Sequence, residues 1–212
     1  MAKSSVVIVD DHAAVRAGLK SIIDTQADMQ VTAEATTGAK ALELLAQTTP
    51  DVVLLDLQLG DMGGLDVLKR LGEAGFTGRV LVLTAYAESQ FGINVLRAGA
   101  KGFINKNASA AEVLRAIRTV MRGGRYIGSV LAEQLVARVD GNPDAPLHES
   151  LSSREFEVFR KLAEGETVSG VAAKLFLSVK TVSTYRRRIL DKMAMKSNAE
   201  LTSYALRNEI IQ

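Results

Sequence analysis

Four short apolar runs in the first half of the chain each end in a side chain able to do chemistry, and this repetition narrows the fold more than any other feature. Val6 to Val9 leads to Asp10 and Asp11, Val52 to Leu55 leads to Asp56, Val80 to Leu83 leads to Thr84, and Gly102 to Asn105 leads to Lys106. Runs this short and this rich in Val, Ile and Leu read as strands buried on both faces, and the stretches between them carry apolar residues at helical spacing. Such alternation specifies a parallel sheet with right-handed crossovers and helices on both faces. Residues at the strand ends then meet at the carboxyl edge, where open α/β folds bind their ligands. Three carboxylates, a hydroxyl and an ammonium would share one pocket. Carboxylates that close repel unless a hard cation lies among them, and Mg²⁺ accepts an all-oxygen shell with several retained waters. The pattern points to phosphoryl chemistry with Mg²⁺ as cofactor.

Taken in order, strands are predicted at 4–10, 30–34, 51–56, 79–84 and 102–105, and helices at 12–25, 38–47, from Leu65 to Leu71, at 88–98 and at 109–121. Five strand–helix repeats give a doubly wound, five-stranded α/β sheet. Residues 139–150 hold two of the three prolines and little periodic hydrophobicity, which marks a linker. Residues 123–137 have enough apolar content for a helix, with no sign of which core it would join. The domains are thus read as 1–122, a partly helical linker at 123–150, and 151–212.

The last segment is all-α in pattern, with helices predicted at 153–164, 168–175, 179–193 and 198–207, Gly165 as a stop and Ser178 as an N-cap. On the third of these, Val182, Ile189 and Met193 share a face with Val179 close by, while Lys180, Ser183, Thr184, Arg187 and Arg188 fall opposite. Charge follows the same division. Residues 1–150 carry 15 Lys+Arg against 17 Asp+Glu, a balance of −2, and residues 151–212 carry 11 against 7, a balance of +4. A basic helix face with small polar side chains suits the DNA major groove.

Composition removes several classes. There is no cysteine and there are two histidines, so disulfides, thiolate chemistry and His/Cys metal sites are excluded, and any metal must be held by oxygen. No run approaches the roughly eighteen uninterrupted apolar residues of a membrane span, and no signal-like segment opens the chain. The expectation is a cytoplasmic protein without a membrane partner.

With both halves in view, the chain resembles a two-component response regulator of the NarL/FixJ class: a flavodoxin-like phosphoacceptor receiver joined to a LuxR-type helix-turn-helix. The resemblance rests on the five strand-end residues in order, and on Leu151-Ser152-Ser153-Arg154-Glu155, Leu162-Ala163-Glu164-Gly165, Val171 to Leu175, Ser178 to Ser183, and Ile189 to Met193. It implies that Asp56 accepts a phosphoryl group, that Asp11, Asp56 and the backbone carbonyl of Gln58 bind Mg²⁺ directly with Asp10 acting through water, and that Thr84 and Lys106 contact the phosphoryl oxygens. Phe103 would be the switch aromatic, rotating inward on activation. Ser183, Thr184 and Arg187 would face base edges, and Lys180, Tyr185, Arg188 and Lys192 would face phosphates. The implied partners are a sensor histidine kinase, double-stranded DNA, RNA polymerase, and a second copy of the chain on phosphorylation. The protein would be a switch, not a turnover enzyme.

The sequence departs from the family pattern at Gly60, where proline is usual, at Phe103, which lacks a hydroxyl, at Gly170 and at Asn198. The loop through Gly60 is expected to be mobile. Plainer readings apply to some residues: Asp61 and Asp66 as solvated loop and helix residues, His12 as a surface residue, and Asp10 taken alone as a helix cap. Two other functions stay open at this point. A haloacid-dehalogenase-type phosphohydrolase also uses a strand-end aspartate, but wants a second two residues on, where this chain has Gln58; a quorum-sensing regulator shares the helix-turn-helix but has no need of the acidic strand ends.

Overall fold

The computed structural model describes residues 3–86, 88–139 and 146–211. Its contacts divide the chain into two compact units, Met1–Asp144 and Ala145–Gln212. Residues 140–145, the middle of the stretch read as a linker, lie outside the described residues.

In the first unit the order is β1 (Ser4–Val9), α1 (Ala13–Asp24), β2 (Met29–Ala35), α2 (Gly38–Gln47), β3 (Val52–Leu55), α3 (Gly64–Glu73), β4 (Arg79–Thr84), α4 (Glu88–Arg97), β5 (Gly102–Asn105), α5 (Ala110–Met121) and α6 (Ser129–Val139). The five strands are parallel in the order β2-β1-β3-β4-β5. The order reverses between β1 and β3, so Asp10 and Asp56 follow neighbouring strands at the crevice where such sheets bind ligands.

Side chains alternate across a strand, and both sets are buried here. Val6, Ile8, Val52, Leu54, Leu81 and Ile104 pack with Leu19 and Ile23 of α1 and Val113, Ile117 and Val120 of α5. Val7, Val9, Val53, Leu55, Val80 and Val82 are equally buried, so the other face is covered too, by helices outside that cluster.

Residues 123–128 are not helical. Tyr126 instead extends the free edge of β5: its amide donates to the Lys101 carbonyl at 2.9 Å, and its carbonyl accepts the Phe103 amide at 3.2 Å. The helix begins only at Ser129 and packs on α4, where Leu131, fully buried, fills the notch left by Gly92. A Cβ on Gly92 would lie 2.7 Å from Leu131 Cδ2. The stretch of uncertain allegiance therefore belongs to this unit.

The second unit opens with a 3₁₀ turn, Leu147–Ser150, inside the span read as linker, followed by α7 (Ser153–Ala163), α8 (Val168–Lys174), α9 (Val179–Lys192) and α10 (Asn198–Arg207). Each helix has a hydroxyl N-cap accepting an amide three residues on, from Ser152, Thr167, Ser178 and Ser197. Caps of this kind are worth about 1 kcal/mol each, which matters in helices this short. Gly165 ends α7 at φ +88°. Phe156, Phe159, Leu162, Val171, Val182, Ile189 and Leu201 form the core. His148 joins them, its ring Nδ1 2.8 Å from the Tyr204 hydroxyl. Burial lowers its pKa to about 4. Among the described residues no helix is long and apolar enough to cross a membrane.

Candidate active site and nucleic-acid interface

The strand ends bring Asp10, Asp56, Thr84 and Lys106 together at one edge of the sheet. Asp10 and Asp56 are 2% and 1% exposed, and the Lys106 ammonium lies between them, 2.7 Å from Asp10 Oδ2 and 2.6 Å from Asp56 Oδ2. Asp10 has both oxygens engaged, because Oδ1 accepts the His12 amide at 2.8 Å. Asp56 does not: its Oδ1 is buried with no hydrogen-bond partner. Burial pushes the Asp56 carboxyl up from its ordinary value, against the opposing pull of Lys106. For Lys106, burial alone would lower the pKa, but the hydrogen bonds and charges of Asp10 and Asp56 outweigh it and the net direction is up. The Asp56 carboxylate is thus held by an ion pair on one oxygen and left open on the other.

Ligand atoms of Asp10, Asp11, His12 and Asp56 all lie within 4.8 Å of one another. Asp11 is on the surface side, 2.6 Å from His12 Nδ1. An orphaned buried carboxylate oxygen beside two further carboxylates fits a hard, oxygen-seeking cation such as Mg²⁺. Gln58 is fixed by a bridge to Gly63, and its side chain donates to the Tyr86 hydroxyl at 3.1 Å.

The loop after Asp56, in which Gly60 lies, is tied at one point to α2. Asp61 reaches across to the start of α2 and accepts the Gly38 and Ala39 amides at 2.8 and 2.9 Å. Burial would raise its pKa, but these amides prevail and hold it below the carboxylate range. Asp61 is exposed, as expected of a loop residue, and in addition caps α2 from another loop. Gly64 then brings α3 against the backbone of Asp56: a Cβ there would lie 2.0 Å from the Asp56 carbonyl oxygen.

Thr84 is fully buried, and its hydroxyl meets the Tyr86 amide at 3.5 Å. Phe103 is already buried, at 2% exposure, so the inward rotation expected of it is not needed to hide this ring. Without a hydroxyl it has nothing to keep in water. The Phe103 backbone and the start of α4 are both tied to residues 123–139. The Phe103 amide bonds to Tyr126, whose hydroxyl donates to Glu112 at 3.1 Å, and Glu88 at the start of α4 accepts the Gly128 amide at 2.8 Å.

In the second unit α9 buries Val182, Ile189 and Leu190 and exposes Lys180, Ser183, Thr184, Arg187 and Arg188, with Tyr185 intermediate. Thr184 donates its hydroxyl to the Lys180 carbonyl at 3.0 Å. Two residues differ from expectation. Val179, placed near the packing face, is 51% exposed. Lys192, placed on phosphate, pairs with Glu155 Oε2 at 2.5 Å, and Glu155 is the buried acid of the α7 capping box. Burial would raise the Glu155 pKa, but Lys192 and the Ser152 amide bring it below its ordinary value. Asn198 accepts from Arg186 Nε at 2.7 Å, which draws that arginine away from the neighbouring Arg187 and Arg188.

Residues 6–118 match the family described as response regulator receiver domain, and residues 149–205 match bacterial regulatory proteins of the luxR family. The chain is 36% identical over 215 residues to the oxygen regulatory protein NreC of Staphylococcus aureus strain JH9, covering 98% of this chain and 99% of that one. Among solved structures it is similar to the response regulator ChrA of a heme-sensing two-component system, at 31% identity and TM-score 0.51 over the full length of both chains. A LuxR-family two-component response regulator from Aurantimonas sp. SI85-9A1 matches with 29% identity and TM-score 0.60, over 66% of this chain and 99% of that chain.

Proposed function

Because this chain belongs to the response regulators, carrying a receiver domain and a LuxR-type DNA-binding domain, we propose that Asp56 takes a phosphoryl group from the phosphohistidine of a sensor kinase and that this modification promotes dimerisation and sequence-specific DNA binding. The observation that carries the reading is the state of Asp56: buried, held on Oδ2 by Lys106, and open on Oδ1.

Phosphoryl transfer asks little covalent help of a protein; it needs an in-line nucleophile and positive charge on the equatorial oxygens. Asp56 Oδ1 forms the new bond to phosphorus as the bond to the donor nitrogen breaks, giving an acyl phosphate. Lys106 moves with the phosphoryl group as its counter-charge, and Thr84 donates a hydrogen bond. Mg²⁺ held by Asp10, Asp11, Asp56 and the Gln58 carbonyl would supply the remaining charge neutralisation. Hydrolysis of the acyl phosphate resets the switch, so the receiver assists its own modification without being a turnover enzyme.

Drawing Thr84 and Lys106 toward a phosphoryl group displaces the ends of β4 and β5, and both lead into structure touched by residues 123–139. With Phe103 already packed, α4 and its seat for α6 are the natural moving parts. In the second unit, Ser183, Thr184 and Arg187 are assigned to base edges and Lys180, Tyr185 and Arg188 to phosphates.

Incubating the full chain with acetyl phosphate and Mg²⁺ and measuring intact mass tests the acceptor. One phosphoryl increment should appear on the wild type and none on Asp56→Asn. An equal increment on both would place the acceptor elsewhere.

A further inference from the structure

We propose that Phe176, in the turn between α8 and α9, is a DNA-contacting residue whose ring packs on deoxyribose and thymine methyl groups at the wall of the major groove. The proposal rests on the DNA-binding reading of α9 and adds to it an apolar contact outside that helix.

Phe176 is 96% exposed, whereas Phe156 and Phe159 of the same unit are 2% and 0% exposed. Nothing in the turn asks for a ring. The residue sits at φ +54°, just past the end of α8, where the Leu177 amide donates to the Ala172 carbonyl at 2.9 Å and glycine would serve with least strain. Ala194 and Glu209 share that backbone geometry at the ends of α9 and α10, so conformation alone does not single Phe176 out. A large apolar side chain in water does.

The ring is also carried on a braced support. Arg154 Nη2 donates to the Leu175 carbonyl at 3.0 Å, and Leu175 and Leu177 on either side are partly buried. Two residues on, Ser178 caps α9, and Val179 is 51% exposed although it opens a helix whose later apolar residues are buried. Val179 lies one turn before Ser183 on the exposed face, and Phe176 is exposed in the turn that leads into it. Lys180, exposed, and Lys174, exposed but paired with Glu166 Oε1 at 2.7 Å, flank them. Two apolar groups between cations, continuous with Ser183, Thr184 and Arg187, fit a polyanion that has apolar features of its own. Duplex DNA has these in its sugars and in the C5-methyl of thymine, which phenylalanine is able to contact.

The test uses phosphorylated full-length protein and a duplex enriched from a random-sequence pool by the wild type. Phe176→Gly should weaken binding to that duplex about tenfold, leave the salt dependence unchanged because no phosphate contact is lost, and melt no lower than wild type. Phe176→Tyr, which keeps the ring, should bind as the wild type does. Replacing thymine by deoxyuracil should weaken the wild type and not Phe176→Gly. Equal affinities for wild type and Phe176→Gly, or equal losses on deoxyuracil, would overturn the proposal, as would variants whose only change is in self-association, since the ring would then serve a protein contact. A wild type that enriches no duplex at all would remove the DNA reading itself, and the proposal with it.

Discussion

Lys106→Met takes the ammonium from between two carboxylates that have little other compensation. Its distances of 2.7 and 2.6 Å, and side-chain exposures of 13% for Lys106, 3% for Asp10 and 0% for Asp56, make this a buried arrangement and not a surface ion pair. Removing one partner of such a pair typically costs 3–5 kcal/mol, and two facing carboxylates put the loss at about 3–4 kcal/mol at neutral pH without divalent cation. The sign of the pH dependence follows from Asp56, whose folded pKa is raised above 3.8 by burial, with Lys106 opposing. A carboxylate of that kind is a cost present above its folded pKa and absent below its unfolded one, so the deficit of the variant should shrink as pH is lowered toward 4. Mg²⁺ should offset it as well, by about 2.7 kcal/mol at a hundred times its dissociation constant. Amide exchange at Ile8 and Leu54, both in the sheet core, reports this unit separately from the other. Protection in the variant equal to wild type in EDTA, or a deficit indifferent to both pH and Mg²⁺, would refute the reasoning.

Gly64→Ala sets a Cβ 2.0 Å from the Asp56 carbonyl and should cost about 3 kcal/mol while slowing phosphorylation; Gly60→Ala, with 3.9 Å to Asp11 Oδ2, should be tolerated and gain about 0.5 kcal/mol. Urea midpoints and labelling rates compare the two. The His148 ring proton resonance should titrate near pH 4 in the folded chain. Since the unfolded chain takes up that proton first, the second unit should lose about 3 kcal/mol between pH 6.5 and 4, and His148→Phe should flatten this loss. Lys192→Ala strands the buried Glu155 and should lower the melting temperature, at a cost of about 1–2 kcal/mol given that Lys192 is 41% exposed. Glu155→Gln in the same background should recover part of it, and would not if Lys192 served only DNA.

The strands and the acidic edge were legible because each is written locally, and four of the five strands are short apolar runs followed at once by a polar or charged candidate residue. Asp10, Asp56, Thr84 and Lys106 needed only the topology to converge. The parts that were not legible depend on partners distant in sequence. Asp61 caps a helix that begins 23 residues earlier, at Gly38, and Glu155 and Lys192 meet across 37 residues; in each case the isolated residue looks like any solvated charge. Residues 123–128 carry too little alternation to read as an edge strand, and Tyr126 finds its place only once β5 offers free backbone groups. The periodicity of α9 assigned its buried and exposed faces. At the first turn, however, Val179 is 51% exposed, and the same residue type that marks the core is left partly in water.

The central claim is that phosphate on Asp56 controls DNA binding by the second unit. Binding isotherms of the full chain on duplex DNA at one fixed salt concentration, with and without acetyl phosphate and Mg²⁺, test it most directly when wild type and Asp56→Asn are run side by side. Affinity should rise by about tenfold or more on phosphorylation of the wild type, a coupling of the usual allosteric size, while Asp56→Asn stays flat. Identical isotherms with and without phosphoryl donor, or an equal rise in Asp56→Asn, would contradict it.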